Sequence, residues 1–270
     1  PWVSLLILIK KSSSPRKMRL ISFTIFFLLN QITAQLDKHN SNVDLEALYP
    51  DSNLFISHRA DWQISAYKKR INDFKENPIG YNKIVFLGNS ITEGGRDWNK
   101  KFGLNNVTNR GITGDITGGI LARLDEIHYY KPTAVFLLIG LNDIFNGDIP
   151  YREDVTTSYV AENILRIAKE IQRHSESTEI FIQTILPIDK KKFMEVRGFY
   201  PQHSVPLMSQ INEINLKIYK KNKNNAFTVI DLHSAFVNER GLMNEVYSTD
   251  GVHLNETGYQ VWVEYVGKYI

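Results

Sequence analysis

The sequence contains no cysteine. This absence excludes a disulfide framework, a thiolate nucleophile and a cysteine-ligated metal site. No histidine and carboxylate spacing typical of a metal site takes its place, and no cofactor is predicted. With 270 residues, 43% of them hydrophobic, the chain is long enough to bury a substantial core.

The chain also lacks the basic surface that nucleic-acid binding requires. Its formal charge is +3, but residues 1–34 contain five basic residues and no acid, so the remaining 236 residues carry −2. Domains that bind nucleic acid concentrate positive charge on one face. A nucleic-acid partner is therefore not expected.

Long hydrophobic runs are missing as well. The apolar run Leu20–Leu29 has ten residues, whereas a membrane-spanning helix needs about 20. With its basic start and the small residues that follow, this run predicts a secretory signal peptide over 18–34. Residues 1–17 precede the first methionine and are interpreted as upstream sequence absent from the natural product. The mature protein is expected to begin near Gln35 and to be secreted or periplasmic. The alternative is an uncleaved membrane anchor.

From residue 60 onwards, strand and helix patterns alternate. Short apolar runs such as 84–87 suit strands buried on both faces, and apolar residues at i, i+3, i+4 and i+7 predict helices. The predicted elements are helix 60–76, strand 83–88, strand 105–109, a helix from Thr117 through Ile127, strand 134–139, helix 158–173, strand 179–185, a long loop over 187–206, helix 207–218, strand 227–230 and helix 257–269. This order predicts an α/β fold with a parallel sheet. Residues 35–59 are interpreted as an N-terminal extension to one domain over 60–270.

Polar residues follow the first three predicted strands at equivalent places, and another polar cluster comes near the end of the chain. In chain order, these blocks are Gly88-Asn89-Ser90, Gly111, Gly140-x-Asn142 and Asp250-x-x-His253. In open α/β sheets, ligands bind at the carboxyl ends of the strands. Ser90 is therefore a candidate nucleophile, although a lone Gly-x-Ser after a strand is more often a simple turn.

Together the four blocks resemble those of the SGNH (GDSL-type) hydrolase superfamily, over roughly residues 60–270. The resemblance is in particular to its small single-domain acetylesterases, such as those similar to platelet-activating-factor acetylhydrolase subunits and sialate O-acetylesterases. It implies a flavodoxin-like, three-layer α/β/α fold with a five-stranded parallel sheet. One departure is Asn89, where the family name implies aspartate. The mechanism is expected to survive this change, because residue 89 is not the nucleophile, the base or an oxyanion donor.

The resemblance implies a role for each block. Ser90 would be the nucleophile, His253 the general base and Asp250 the carboxylate that orients it. The oxyanion hole would consist of the backbone N–H groups of Ser90 and Gly111 and the side-chain amide of Asn142. The chemistry of these residue types agrees, because a serine hydroxyl needs an adjacent base and an imidazole needs a carboxylate to fix its tautomer.

Other polar residues have simpler interpretations. Asp115 and Asp143 are expected to cap helices or brace the loops. Glu93 could face either a pocket or solvent. His233 follows the last strand beside Asp231 and is expected to be structural. The lysines of 190–192 are expected to form a solvated surface.

The predicted function is that of an exported serine esterase acting on short-chain esters, especially O-acetyl groups of a carbohydrate. Its expected partners are small-molecule or glycan esters, and its oligomeric state is left open. Two alternatives remain: a lipid-directed esterase or lysophospholipase, and a non-catalytic glycan-binding module on the same scaffold. The loops 92–104, 144–157 and 187–206 are expected to determine which substrate is bound. The spacing of their residues does not predict that substrate.

Overall fold

The computed structural model describes residues 44–51, 53–145, 152–222 and 226–270. The chain divides into two units at Leu45, and the fold described below is that of Glu46–Ile270. The predicted upstream segment 1–17 and the signal peptide 18–34 lie outside the described residues. The predicted domain boundaries stay predictions.

Five parallel strands form the central sheet. They are β1 (Ile84–Gly88), β2 (Val107–Gly111), β3 (Ala134–Leu138), β4 (Glu179–Gln183) and β5 (Thr228–Ile230). The strand order is β2-β1-β3-β4-β5, and every pairing is parallel. The inner strands β1 and β3 are buried along their whole length, which explains their continuous apolar sequences. The predicted five-stranded parallel sheet is confirmed.

Helices flank this sheet and give the predicted three-layer α/β/α arrangement. In chain order they are α1 (Asp61–Glu76), α2 (Ser90–Gly94), α3 (Trp98–Phe102), α4 (Thr117–Leu121), α5 (Asp125–Tyr130), α6 (Leu141–Phe145), α7 (Thr157–His174), α8 (Lys190–Arg197), α9 (Leu207–Lys221), α10 (Leu232–Phe236) and α11 (Glu256–Val266). Short 3₁₀ turns cover Leu45–Leu48, Arg152–Asp154, Glu245–Tyr247 and Gly267–Tyr269. None of the helices in the described part of the chain combines the length and apolar character needed to cross a membrane.

An aromatic row crosses the centre of the sheet. Phe86, Phe136 and Phe181 are register partners on β1, β3 and β4. Their rings stack with centroid separations of 4.9 and 4.5 Å. Trp98 covers the outer face of Phe86 at 4.4 Å. Because burying each such ring contributes about 1.5–3 kcal/mol, this row anchors the strands whose ends carry the polar blocks.

The predicted helix from Thr117 through Ile127 is wrong in one respect, because the segment forms two short helices, α4 and α5. The chain turns at Arg123, whose guanidinium points back to the sheet edge. There it donates to the carbonyl of Gly88 at 3.3 Å and to that of Arg110 at 3.0 Å. Tertiary hydrogen bonds at Arg123 therefore interrupt a pattern that periodicity alone reads as one helix.

The predicted loop over 187–206 contains helix α8. Its first turn is capped by Asp189, whose side chain accepts a hydrogen bond from the Lys192 N–H at 3.1 Å. The helix ends at Gly198, which adopts φ +75°. Only Phe193 of α8 is buried, so the helix has no apolar stripe that a periodicity argument could detect.

Candidate active site

Ser90 stands where the end of β1 meets the first turn of α2. The side chain of Asn89 caps this helix by accepting the Ile91 N–H at 3.1 Å. An asparagine oxygen performs this cap as well as an aspartate oxygen would. Gly88 allows the tight approach, because a Cβ there would lie 2.3 Å from the carbonyl oxygen of Leu138. The departure from aspartate at position 89 thus leaves the local geometry intact.

The side chains of Ser90, His253 and Asp250 form one hydrogen-bonded chain. The hydroxyl oxygen of Ser90 lies 3.1 Å from Nε2 of His253. The other ring nitrogen, Nδ1, lies 2.9 Å from Oδ2 of Asp250. Since an ionised carboxylate only accepts hydrogen bonds, this contact places the imidazole proton on Nδ1 and leaves Nε2 free to accept the serine proton.

The side chain of Asp250 holds the turn that carries Asp250 and His253 by binding backbone N–H groups of that turn. Oδ1 of Asp250 accepts the N–H groups of Val252 at 3.1 Å and His253 at 2.8 Å. Gly251 adopts φ +83°, and a Cβ there would lie 2.5 Å from the carbonyl oxygen of Asp189. The side chain of Asp250 is 1% exposed, whereas that of His253 is 35% exposed. The imidazole of His253 therefore faces the cavity, and the carboxylate of Asp250 is buried behind it.

A second residue binds Asp250, and no motif pointed to it. Arg197, at the end of α8, donates from Nε and Nη2 to Oδ2 of Asp250 at 2.8 and 2.5 Å. Burial alone would raise the pKa of the Asp250 carboxyl. The hydrogen bonds and charge of His253, together with the hydrogen bond from Arg197, outweigh burial and hold that pKa well below its usual range.

Asn142 reaches the same edge of the sheet from β3. It follows Gly140, which adopts φ +118°, and its Nδ2 donates to the carbonyl of Asp115 at 2.9 Å. Since an amide group has two N–H donors, the second remains for the cavity that Asn142 lines. The neighbouring Asp143 accepts the Thr117 N–H at 3.0 Å and its hydroxyl at 2.5 Å.

Gly111 ends β2 at the predicted edge of the sheet, and its N–H is bound within the protein. Its N–H donates to Oδ1 of Asn109 at 2.9 Å, and it is absent from the cavity wall. Gly114, three residues later, lines the cavity and adopts φ +78°. Within the described ranges, the hydrogen bonds include none that uses the Gly114 N–H. The predicted role of Gly111 as an oxyanion donor therefore has no support in this geometry.

Glu93 faces the cavity and braces the loop that carries Gly114. Its Oε2 accepts both the N–H and the hydroxyl of Thr113 at 2.6 Å. Arg70 lies 3.6 Å from Oε1 of Glu93 and also donates to the carbonyl of Gly111 at 3.1 Å. The carboxylate of Glu93 is thus bound by Thr113 and Arg70 at the cavity wall.

Asp115 and Asp143 brace the loops, as predicted. Asp115 pairs with Arg59 at 2.6 Å and with Arg123 at 3.0 Å, and all three side chains are buried. His233 is structural, because its Nδ1 lies 2.8 Å from the carbonyl oxygen of Ile185. None of these groups lines the cavity. The Lys190–Lys192 run is not purely a solvated surface, since Lys192 Nζ donates to the carbonyls of Glu245 and Ser248 at 2.9 Å each.

The cavity above Ser90 has a volume of about 1260 Å³. Most of its aromatic wall comes from α8 and the residues after it. The aromatic lining residues are Trp62, Phe145, Phe193, Phe199 and Tyr200, and the charged ones are Arg70, Glu93, Arg96 and Arg197. Across the described part of the chain, no group of histidines and carboxylates is arranged to hold a metal ion.

A parallel α/β sheet with a serine, an imidazole and a buried carboxylate in line at its carboxyl edge defines a hydrolase-type site. The GDSL-like lipase/acylhydrolase family model matches residues 86–261. The chain belongs to this family, and it is accordingly a hydrolase that acts on ester bonds.

Solved structures agree with this assignment. A protein from Streptococcus pneumonia named for platelet activating factor is 26% identical, with 77% of this chain and 94% of that chain covered and a TM-score of 0.63. A GDSL-like lipase from Bacteroides thetaiotaomicron is 22% identical, with 75% and 96% covered and a TM-score of 0.61. A catalytic mutant of an acetylxylan esterase from Geobacillus stearothermophilus is 19% identical, with 70% and 94% covered and a TM-score of 0.54. Among curated proteins, no match to the sequence was found.

Proposed function

We propose that the protein is an exported serine esterase that removes short acyl groups, in particular acetyl groups, through an acyl-enzyme. The observation that carries this proposal is the continuous chain from the Ser90 hydroxyl through His253 to Asp250, with distances of 3.1 and 2.9 Å. These are hydrogen-bond distances suited to proton transfer. Export rests on the predicted signal peptide over 18–34.

In the first step, Oγ of Ser90 attacks the ester carbonyl carbon while its proton passes to Nε2 of His253. The carbonyl oxygen becomes an oxyanion, and Asp250 stabilises the imidazolium. When the tetrahedral intermediate collapses, the carbon–oxygen bond to the alcohol breaks and His253 returns the proton to the departing alkoxide. Water then repeats the sequence on the acyl-enzyme, releasing the acid and restoring Ser90.

The oxyanion requires donors that are already in place before reaction. We assign this role to the Ser90 N–H, at the start of α2, and to the side-chain amide of Asn142. For the third donor we assign Gly114 in place of Gly111. The support is that Gly114 lines the cavity, whereas the N–H of Gly111 is bound to Asn109.

A carbohydrate is the proposed leaving group. Trp62 and Phe199 line the cavity and are 52% and 57% exposed, so their rings are available for contact with a ligand. Exposed aromatic rings provide large, rigid apolar faces with little entropy to lose, which suits the C–H faces of a sugar ring. The acetylxylan esterase of similar fold acts on an acetylated carbohydrate, as its name states.

A lipid-directed esterase is the second candidate. It is favoured by the apolar part of the wall, where Phe145 and Phe193 meet at a ring separation of 5.2 Å beside Leu141. A lipid enzyme would be expected to prefer long acyl chains, because each buried methylene adds about 0.8 kcal/mol. Acyl-chain preference therefore separates the two candidates.

The test is hydrolysis of p-nitrophenyl acetate, butyrate and octanoate by the protein and by Ser90→Ala. For an acetylesterase, kcat/KM falls with chain length, and Ser90→Ala lowers kcat by a factor on the order of 10⁴ or more. A preference for octanoate would favour the lipid enzyme. Full activity in Ser90→Ala would refute the nucleophile assignment, and glycan binding without hydrolysis of any ester would favour a binding module.

A further inference from the structure

The carboxylate of Asp250 accepts more hydrogen bonds than the triad needs. Its Oδ1 accepts two backbone N–H groups of its own turn. Its Oδ2 is within 2.9 Å of His253 Nδ1 and also accepts two N–H groups of Arg197, at 2.8 and 2.5 Å. The guanidinium and the imidazole therefore share one oxygen atom, and one of these two groups carries a permanent charge.

Contacts at the start of helix α8 fasten the helix that carries Arg197 to the turn of Asp250 and His253. At its start, the N–H of Asp189 donates to the carbonyl of Gly251 at 2.8 Å. Within the helix, Lys192 donates to the carbonyl of Ser248 at 2.9 Å. The segment that builds the aromatic cavity wall is thus fastened to the turn that carries the acid and the base.

We propose that Arg197 is a positioning residue that fixes the Asp250 carboxylate and, through it, holds the His253 imidazole in line with Ser90. This inference rests on the serine-esterase function proposed above. The physical reason is geometric. Because the guanidinium and the imidazole bind the same oxygen of Asp250, loss of the guanidinium lets the carboxylate, and the imidazole with it, leave the arrangement that proton transfer needs.

Two charged residues of α8 contact this turn in the described part of the chain. Arg197 binds the Asp250 carboxylate, and Lys192 binds the backbone carbonyl of Ser248. The charged side chains on the rest of the cavity wall are Glu93, Arg70 and Arg96. Glu93 and Arg70 lie 3.6 Å apart and largely offset each other. Arg197 is the cation in direct contact with the triad carboxylate, and its removal is expected to have the largest effect.

The experiment measures kcat and KM on p-nitrophenyl acetate, alongside the NMR signal of the His253 Nδ1–H proton in the isotope-labelled protein. In Arg197→Gln, kcat is expected to fall about ten- to a hundredfold with KM within about twofold, because a misplaced imidazole affects the reaction more than binding. The Nδ1–H signal should shift or broaden, because its acceptor is less well fixed. In Arg197→Lys, which keeps a donor but loses the two-pronged contact, both changes should be smaller.

The matched control is Lys191→Gln on the same helix. The side chain of Lys191 is 86% exposed and pairs with its helix neighbour Glu195, so this change should alter neither kcat nor the Nδ1–H signal. Arg197→Ala is a second neutral variant, and because the Arg197 side chain is 47% exposed, both neutral variants are expected to fold.

The inference is overturned if kcat in the neutral variants stays within about twofold of the original protein and the Nδ1–H signal is unchanged, or if Lys191→Gln changes both equally. A purely structural role for Arg197 would lower the fraction of folded, active protein without changing the Nδ1–H signal of the folded molecules. If the protein hydrolyses no ester, the proposed function fails, yet the NMR signal still decides whether Arg197 positions His253.

Discussion

Asp143 is a buried carboxyl group directly beside the amide proposed to bind the oxyanion. Burial raises the pKa of Asp143 to about 7, although the hydrogen bonds from Thr117 act in the opposite direction. The group therefore changes its charge near neutral pH. Its protonation state and its contacts with Thr117 both bear on how Asn142 is held.

The pH dependence of stability should reveal this carboxyl. Because its pKa is higher in the folded protein than in the unfolded chain, folding is favoured by proton uptake. The resulting stabilisation is complete below about pH 4 and is lost as the pH rises through about 7. In Asp143→Asn, which keeps an oxygen to accept from Thr117, this dependence should be absent. The free energy of unfolding of the original protein, minus that of the variant, should fall with rising pH by up to about 1.4 kcal/mol per unit.

Urea unfolding at several values between about pH 4.5 and 7.5 measures this difference. Other titrating groups cancel in the subtraction because they are present in both proteins. A difference that stays constant across the range would show that Asp143 does not titrate there.

At the scale of elements, α8 links the cavity wall to the turn that carries Asp250 and His253. The helix depends on Asp189, whose side chain caps it at Lys192 and whose backbone binds Gly251. Asp189→Ala removes only the side-chain cap. We expect it to cost about 1 kcal/mol of stability and to raise KM more than it lowers kcat, since the wall residues would be less well ordered.

Thermal unfolding and steady-state kinetics on p-nitrophenyl acetate check this expectation. Asn238→Ala is a suitable comparison, because Asn238 is likewise a side-chain acceptor for backbone N–H groups, those of Arg240 and Leu242, in a turn that does not line the cavity. An unchanged KM in Asp189→Ala would show that the α8 cap does not affect substrate binding.

The strands were predictable because burial on both faces requires continuous apolar sequence, as in 84–87 and 134–138. The second strand was predicted over 105–109, two residues before β2 (Val107–Gly111), because β2 is polar and has no apolar run to mark its ends. Its Arg110 is buried in an ion pair with Glu126 at 2.8 Å, a partner that local sequence does not reveal. Helix α8 was missed for a related reason, since a cap and tertiary hydrogen bonds hold it instead of an apolar stripe.

The residues of the candidate site likewise divide into those that the sequence could predict and those that it could not. Ser90, Asn142, Asp250 and His253 lie in one cavity or directly behind it, because each follows a strand or belongs to one short turn. Gly111 and Gly114 are three residues apart in a glycine-containing loop, and spacing cannot tell which N–H faces the cavity. Arg197 carries no motif, and its contact with Asp250 spans 53 positions in sequence.

At the scale of the whole molecule, one hydrophobic core connects the two ends of the site. It includes residues from Ile79 to Val266, and Ser90 and His253 come from near opposite ends of this range. Ser90 and His253 therefore meet only when the core has formed. Activity and tertiary structure should be lost together on unfolding.

Phe136 is the central ring of this core, on the middle strand and fully buried between Phe86 and Phe181. We expect Phe136→Ala to lower the free energy of unfolding by about 3–5 kcal/mol, since the change removes a buried ring and leaves a cavity. The matched control is Phe55→Ala, whose ring is 77% exposed and whose loss should cost less than about 0.5 kcal/mol. Guanidinium unfolding, followed by tryptophan fluorescence and by residual esterase activity, measures both. In Phe136→Ala the two signals should move to lower denaturant together. If activity were lost well before fluorescence changed, the site and the core would be separate cooperative units.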